Sequence, residues 1–154
     1  MHDIIYRNNN LTNIKPTVHI FINKNSLNWG YVKNMDELFN LSKKNYPQYE
    51  WIQISPNFVF NVSETMKLFA RTKLFVSATG SCSFNMIFLH PNCGVLLIDS
   101  TICNSPCIAI AHTLDIWFYY CASPHIRRDG RKGGTLDKNV FSKVLTKSRL
   151  RGGQ

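Results

Sequence analysis

Apolar positions along this chain fall into two alternating rhythms. Residues 17 to 23, TVHIFIN, alternate and are β-branched, which predicts a buried strand, and an Asn/Ser/Gly-rich turn follows through Gly30. A helix is expected from near Asn34, with Asp36 and Glu37 favouring its start and Met35, Leu38, Phe39 and Leu41 its apolar face, ending before Pro47. EWIQI, 50 to 54, predicts a second strand, and Ser63 to Ala70 a second helix with Ser63 as N-cap. LFVSA, 74 to 78, reads as a third strand, and Phe84 to Leu89 as a short helix closed by His90-Pro91. VLLID, 95 to 99, is an apolar fourth strand, residues 106 to 114 a further helix, and 116 to 122 a fifth strand.

Alternation of this kind means an α/β fold: a Rossmann-like parallel sheet with helices on both faces. Ligands in such sheets bind outside the carboxyl ends of the strands. The junction at Ala78-Thr79-Gly80-Ser81, between the third strand and its helix, is therefore the first place to look for chemistry. The first N–H groups of a helix have no partner within it, and with the dipole they hold an anion without a basic side chain. Gly80 lets the backbone approach a ligand, and Thr79, Ser81 and Ser83 add hydroxyl donors. The pattern is neither GxGxxG nor a Walker A loop, so a polar strand-to-helix turn reads equally well from these residues alone.

At 154 residues and 44% hydrophobic, the chain has the size and apolar content of one domain. Its charge is uneven. Residues 125 to 154 hold nine basic and two acidic side chains, against nine and seven in residues 1 to 124. The division expected is an N-terminal extension over 1–16, a Rossmann-like domain over 17–124, and a basic tail over 125–154. That tail carries a Gly/Arg-rich linker at 127–134 and a last helix at 138–148. A charge run like this one is ordinarily a solvated surface, and no nucleic-acid partner is expected. No stretch is apolar enough for a membrane span, and no signal-peptide pattern opens the chain.

Over residues 17 to 122, GYVKNMDEL and then NVSETMKLFARTKLFVSATGSCSFNMIFLHPNCGVLLID resemble the carboxyl-terminal half of glycosyltransferase family 61. The most specific stretch runs from Glu64 through Asn85, Phe88 and Pro91 to Asp99. The resemblance implies the second, donor-binding domain of an inverting GT-B glycosyltransferase. The donor would be a nucleotide-sugar, a UDP-sugar in the first instance, and the acceptor a glycan or glycoprotein hydroxyl. No metal is required, the setting is the ER or Golgi lumen, and a separate N-terminal half would supply the acceptor site and general base.

Carried over by position, Thr79-Gly80-Ser81 stands where the family has His-Gly-Ala, and Asn85 and Asp99 where it has Asn and an acid. The turn from Thr79 to Ser83 would hold the diphosphate and Asp99 the ribose, while Asn85 equally suits a bond to a neighbouring loop, and Glu64 the start of its own helix. The family's arginine-containing stretch after the first strand is here Asn23-Lys24 and Trp29-Gly30-Tyr31, with Lys24 the compensating cation.

Other groups carry less. Five cysteines without CxxC pairing fit neither a disulfide framework nor a zinc ribbon, although Cys103 and Cys107 are spaced to bridge. His19 and His90 read as packing or capping residues, and Trp51, Trp117 and Phe118 to Tyr120 as core. Sequons at Asn10, Asn40 and Asn61 match glycan acceptors but arise readily in a chain this rich in Asn. Two rivals to a donor domain stay open: a non-catalytic α/β module that binds a nucleotide or a partner protein, and a nucleic-acid binder acting through the basic tail.

Overall fold

The computed structural model describes residues 2–26, 30–100, 105–126 and 133–152. Among the described residues, ten helices and strands are joined by two 3₁₀ segments, in the order α1 (His2–Asn8), β1 (Val18–Ile22), α2 (Met35–Asn45), β2 (Glu50–Ile54), α3 (Val62–Ala70), β3 (Thr72–Ala78), β4 (Gly94–Asp99), α4 (Ser105–Thr113), β5 (Trp117–Ala122) and α5 (Lys138–Gly152). The 3₁₀ segments are Pro56–Phe60, before α3, and Ser81–Phe88, between β3 and β4.

Strands run in the order β2-β1-β3-β4-β5, and every pairing is parallel. The three central strands are buried almost throughout, as expected of a parallel sheet covered on both faces. Alternate residues of each strand serve opposite layers. Phe21, Leu74, Val76, Ala78, Leu96 and Ile98 face α2 and α5, packing on Met35, Leu38, Phe141 and Leu145. Val18, Ile20, Ile22, Phe75, Val95 and Leu97 face the other way, onto Phe69, Met86, Leu89, Cys107 and Ala111.

The strand expectations hold to within two residues, whereas β5 is less buried than its apolar run implies. It lies at the sheet edge, so Trp117 is exposed and Phe118, Tyr119 and Tyr120 are half-buried. Trp51 is buried as expected, its indole N–H donating to Tyr46 O at 2.9 Å. His19 is also buried, its ring tilted against those of Tyr49 and Trp51 with centroids 4.6 Å apart.

Two local readings are corrected. The N-cap of α3 is Asn61, not Ser63, because Asn61 Oδ1 accepts from the Glu64 N–H at 3.2 Å and the helix starts a residue earlier. The helix after β3 is 3₁₀ and runs over Ser81–Phe88. Its buried positions, Ser83 and Met86 followed by Leu89 as C-cap, recur every third residue, the period of a 3.0-residue turn.

Residues 1–16 carry a helix that the periodicity does not announce. Tyr6 and Leu11 close over Ala70, Tyr6 Oη donates to Phe88 O at 2.5 Å, and His2 Nε2 lies 2.9 Å from Leu89 O. The Tyr6 ring meets that of His90 edge-on at 4.5 Å, which gives His90 its packing role. Burial pushes the His90 pKa down, and the neighbouring His2 adds to the effect.

The last helix is not merely a solvated surface. Asp137 Oδ1 accepts from the N–H groups of Asn139 and Val140 at its start, and Phe141 and Leu145 complete the core over β3, β4 and β5. The lysines of α5 keep to its outer face, with Lys138 ion-paired to Glu37 at 2.7 Å. Phe141→Ala is expected to cost about 3–5 kcal/mol in urea unfolding. Lys143→Ala, on the exposed face, should stay within about 0.5 kcal/mol. Equal, small effects would show that α5 contributes nothing to the core.

Candidate functional site

Because all strands are parallel, β1, β3, β4 and β5 deliver Lys24, Thr79–Gly80, Asp99 and Ser123 to one edge of the sheet. The chain leaves β1 for β2 on one side and passes to β3 on the other, so the strand order reverses between β1 and β3. Crevices at such switch points are where open α/β sheets bind ligands. Lys24 follows β1 and Gly80 follows β3, one on each side of that crevice.

Side-chain geometry ties the two together. A methyl group added at Gly80 would stand 2.4 Å from Lys24 Cε and 2.8 Å from Lys24 Nζ. A methyl at Gly30 would lie 3.4 Å from Thr79 Cγ2 and 3.5 Å from Lys24 Nζ. The ammonium thus rests in a notch made by two residues that lack a Cβ. Gly80 also has φ +147°, a conformation that side chains disfavour, so the backbone angle requires glycine there, and the flexible end of Lys24 fills the space beside it.

Within the turn, the Thr79 N–H donates to Ile98 O at 2.8 Å and the Ser83 N–H to Gly80 O at 2.9 Å. The N–H groups of Ser81 and Cys82 belong to the first helical turn and have no acceptor within their helix. Ser81 is exposed and Cys82 half-buried. Burial pushes the Cys82 thiol pKa up, and the Lys24 ammonium pulls it partly back. One cation, two helix-start amides and one exposed hydroxyl form an arrangement suited to a phosphate-sized anion.

Not every expected residue joins it. Ser83 is fully buried and its hydroxyl donates inward to Gly80 O, with Cys107 Sγ at 3.4 Å, so it braces the turn. Asn85 Nδ2 donates to Cys82 O at 2.9 Å, the local structural role. Asp99 is 0% exposed, and its Oδ1 accepts from the Ser100 N–H at 2.7 Å and lies 3.4 Å from Ser100 Oγ. Its carboxylate therefore orders the β4 exit instead of presenting itself directly to a sugar. Thr79 is also buried, its methyl turned toward Gly30. Trp29 and Cys103 lie outside the described residues, so the Cys103–Cys107 bridge does too.

The bonding roles of two asparagines were not visible to motif reading. Asn23 bonds to both Lys24 and Val32, and Asn34 bonds to Leu136 through its Nδ2 at 2.8 Å and its Oδ1 at 3.0 Å. The only sequence hint was an Asn beside a predicted element end, which is common in turns. Gly80→Ala is expected to lower stability by about 1–3 kcal/mol, from backbone strain and displacement of Lys24. Ser81→Ala should be near neutral. A fully stable Gly80→Ala variant in chemical denaturation would remove the steric basis of the notch.

Against models of known protein families, residues 1–96 match Glycosyltransferase 61, a span that includes α1, the Lys24 and Gly80 positions and the start of β4. No curated protein matches the chain. The match takes in more than half of the sequence, and the all-parallel sheet is the Rossmann-like arrangement that the resemblance implied. The chain belongs to the glycosyltransferase 61 family.

Proposed function

We propose that this chain binds the donor of a glycosyl transfer, a nucleotide-sugar, with the diphosphate seated at the β1/β3 crevice. The observation that carries this reading is the Lys24 ammonium held against Gly80 beside the start of the 3₁₀ helix. In glycosyl transfer from a nucleotide-sugar, the bond between the anomeric carbon and the diphosphate breaks as the acceptor oxygen attacks. Negative charge then accumulates on the leaving diphosphate. Lys24 and the Ser81 and Cys82 amides oppose that charge without having to reorganise, which is worth more in a site that excludes water.

In this reading Asp99 acts on the ribose through Ser100, whose N–H and hydroxyl it orients. Thr79 and Ser83 shape the turn, and Asn85 holds the helix that carries it. The acceptor, a glycan or glycoprotein hydroxyl, and the general base that deprotonates it are assigned to an acceptor-binding half with the GT-B arrangement. The proposed setting is the lumen of the ER or Golgi. Among the described residues no helix is long and apolar enough to cross a membrane.

Titration calorimetry with UDP and UDP-sugars tests the reading. Lys24→Gln is expected to weaken UDP binding about 10- to 100-fold, about 1.4 to 2.8 kcal/mol. The loss should be much smaller for uridine, which has no phosphate. Absence of heat with every nucleotide tried would favour a non-catalytic partner-binding module instead.

A further inference from the structure

Lysine is a long, flexible side chain, and seating its ammonium in one place costs about 2 kcal/mol of rotamer freedom. Something must hold its main chain if the site is to be ready before a ligand arrives. The chain leaves β1 at Ile22 and returns to the core at Val32, which is fully buried. The Asn23 side chain ties the two ends. Asn23 Oδ1 accepts from the N–H of Lys24 at 2.9 Å and from the N–H of Val32 at 3.1 Å. Asn23 Nδ2 donates to Val32 O at 2.8 Å.

The oxygen thus spends both lone pairs, one on each end, and the amide closes a two-bond pairing with Val32 such as a neighbouring strand would make. Val32 in turn is anchored from beyond. Tyr31 O accepts from the Gly134 N–H at 3.0 Å, and the Lys33 N–H donates to Gly134 O at 2.8 Å. Lys24 is therefore fixed to the core through Asn23.

We infer that Asn23 is the positioning residue of the anion site: its side chain sets the Lys24 main chain so that the ammonium is presented over the Gly80–Cys82 turn. The inference rests on the proposed role of Lys24 toward the donor diphosphate. An aspartate would not serve, since it lacks the donor to Val32 O and places a competing charge beside the lysine. A serine retains one hydroxyl and restores part of the tie.

Cys82 supplies a readout that needs no nucleotide. Its thiol feels the Lys24 ammonium, so the pH profile of its alkylation by iodoacetamide, followed on the full chain by peptide mass spectrometry, reports where that ammonium sits. Lys24→Gln removes a charge that lowers the thiol pKa, so the profile moves to higher pH. Asn23→Ala should move it in the same direction, with Asn23→Ser between Ala and wild type. UDP affinity should fall about tenfold for Asn23→Ala in the wild-type background, and hardly at all when Lys24 is already glutamine, because the two act as one unit.

An unmoved Cys82 profile in both Asn23 variants, with Lys24→Gln shifting it, would overturn the inference. So would equal losses of affinity from Asn23→Ala in the two backgrounds. Should Asn23→Ala fail to fold, Asn23→Ser carries the same comparison. Failure of wild-type protein to bind UDP would sink the donor reading, while the alkylation profiles would still decide whether Asn23 positions Lys24.

Discussion

Parallel pairing is the constraint from which the rest of this molecule follows. Strands that all point one way end at one edge, and each return path must cross a face of the sheet. Crossing segments therefore cover both faces, the interior strands become apolar on both sides, and the polar ends of β1, β3, β4 and β5 are gathered in one row. The crossover from β1 to β2 and the passage onward to β3 diverge, and the gap that opens between their carboxyl ends is where Lys24 and Gly80 meet.

The layer on the α2 side shows how completely the sheet must be covered. Only one crossover, α2, lies on that face among the described elements, and it reaches β1 and β2 better than β4 and β5. The C-terminal helix supplies the missing cover, laying Phe141 and Leu145 over the far strands and sending its lysines outward. A segment that composition marks as basic and solvent-loving is thus half core. Charge excess counts residues without regard to face, whereas a helix sorts them.

That difference explains what the sequence disclosed. Central strands were legible because continuous β-branched and apolar runs such as VLLID admit few other readings, and Gly80 because a glycine between strand and helix needs a reason. Lys24 was legible only as a cation after a strand, since nothing local says that it reaches across to another strand's end. The 3₁₀ helix was misread because periods of 3.0 and 3.6 residues diverge too little over Ser81–Phe88 to be told apart. The directions of Ser83 and Asp99 were not legible at all, and for Asn85 a local structural bond was only one of two readings. Each lies at or near the site edge in sequence, but packing turned Ser83 toward Cys107, Asn85 back onto its own helix and Asp99 into the interior. The first helix escaped because a single buried turn, around Tyr6, leaves no repeat to recognise.

Gly133 and Gly134 give the C-terminal helix a mechanical reach that its position alone would not suggest. A side chain at Gly133 would meet Tyr31 O at 2.5 Å and one at Gly134 would meet His125 O at 1.7 Å, so the chain here is stitched between two other segments with no slack. Through the bridge of Val32 to Gly134 and the clasp of Asn34 on Leu136, the seam runs from the root of the last helix to the segment that Asn23 grips. Loosening at the root of the last helix is therefore expected to reach the cationic notch, with hydrogen exchange at Val32 and at Phe141 rising together.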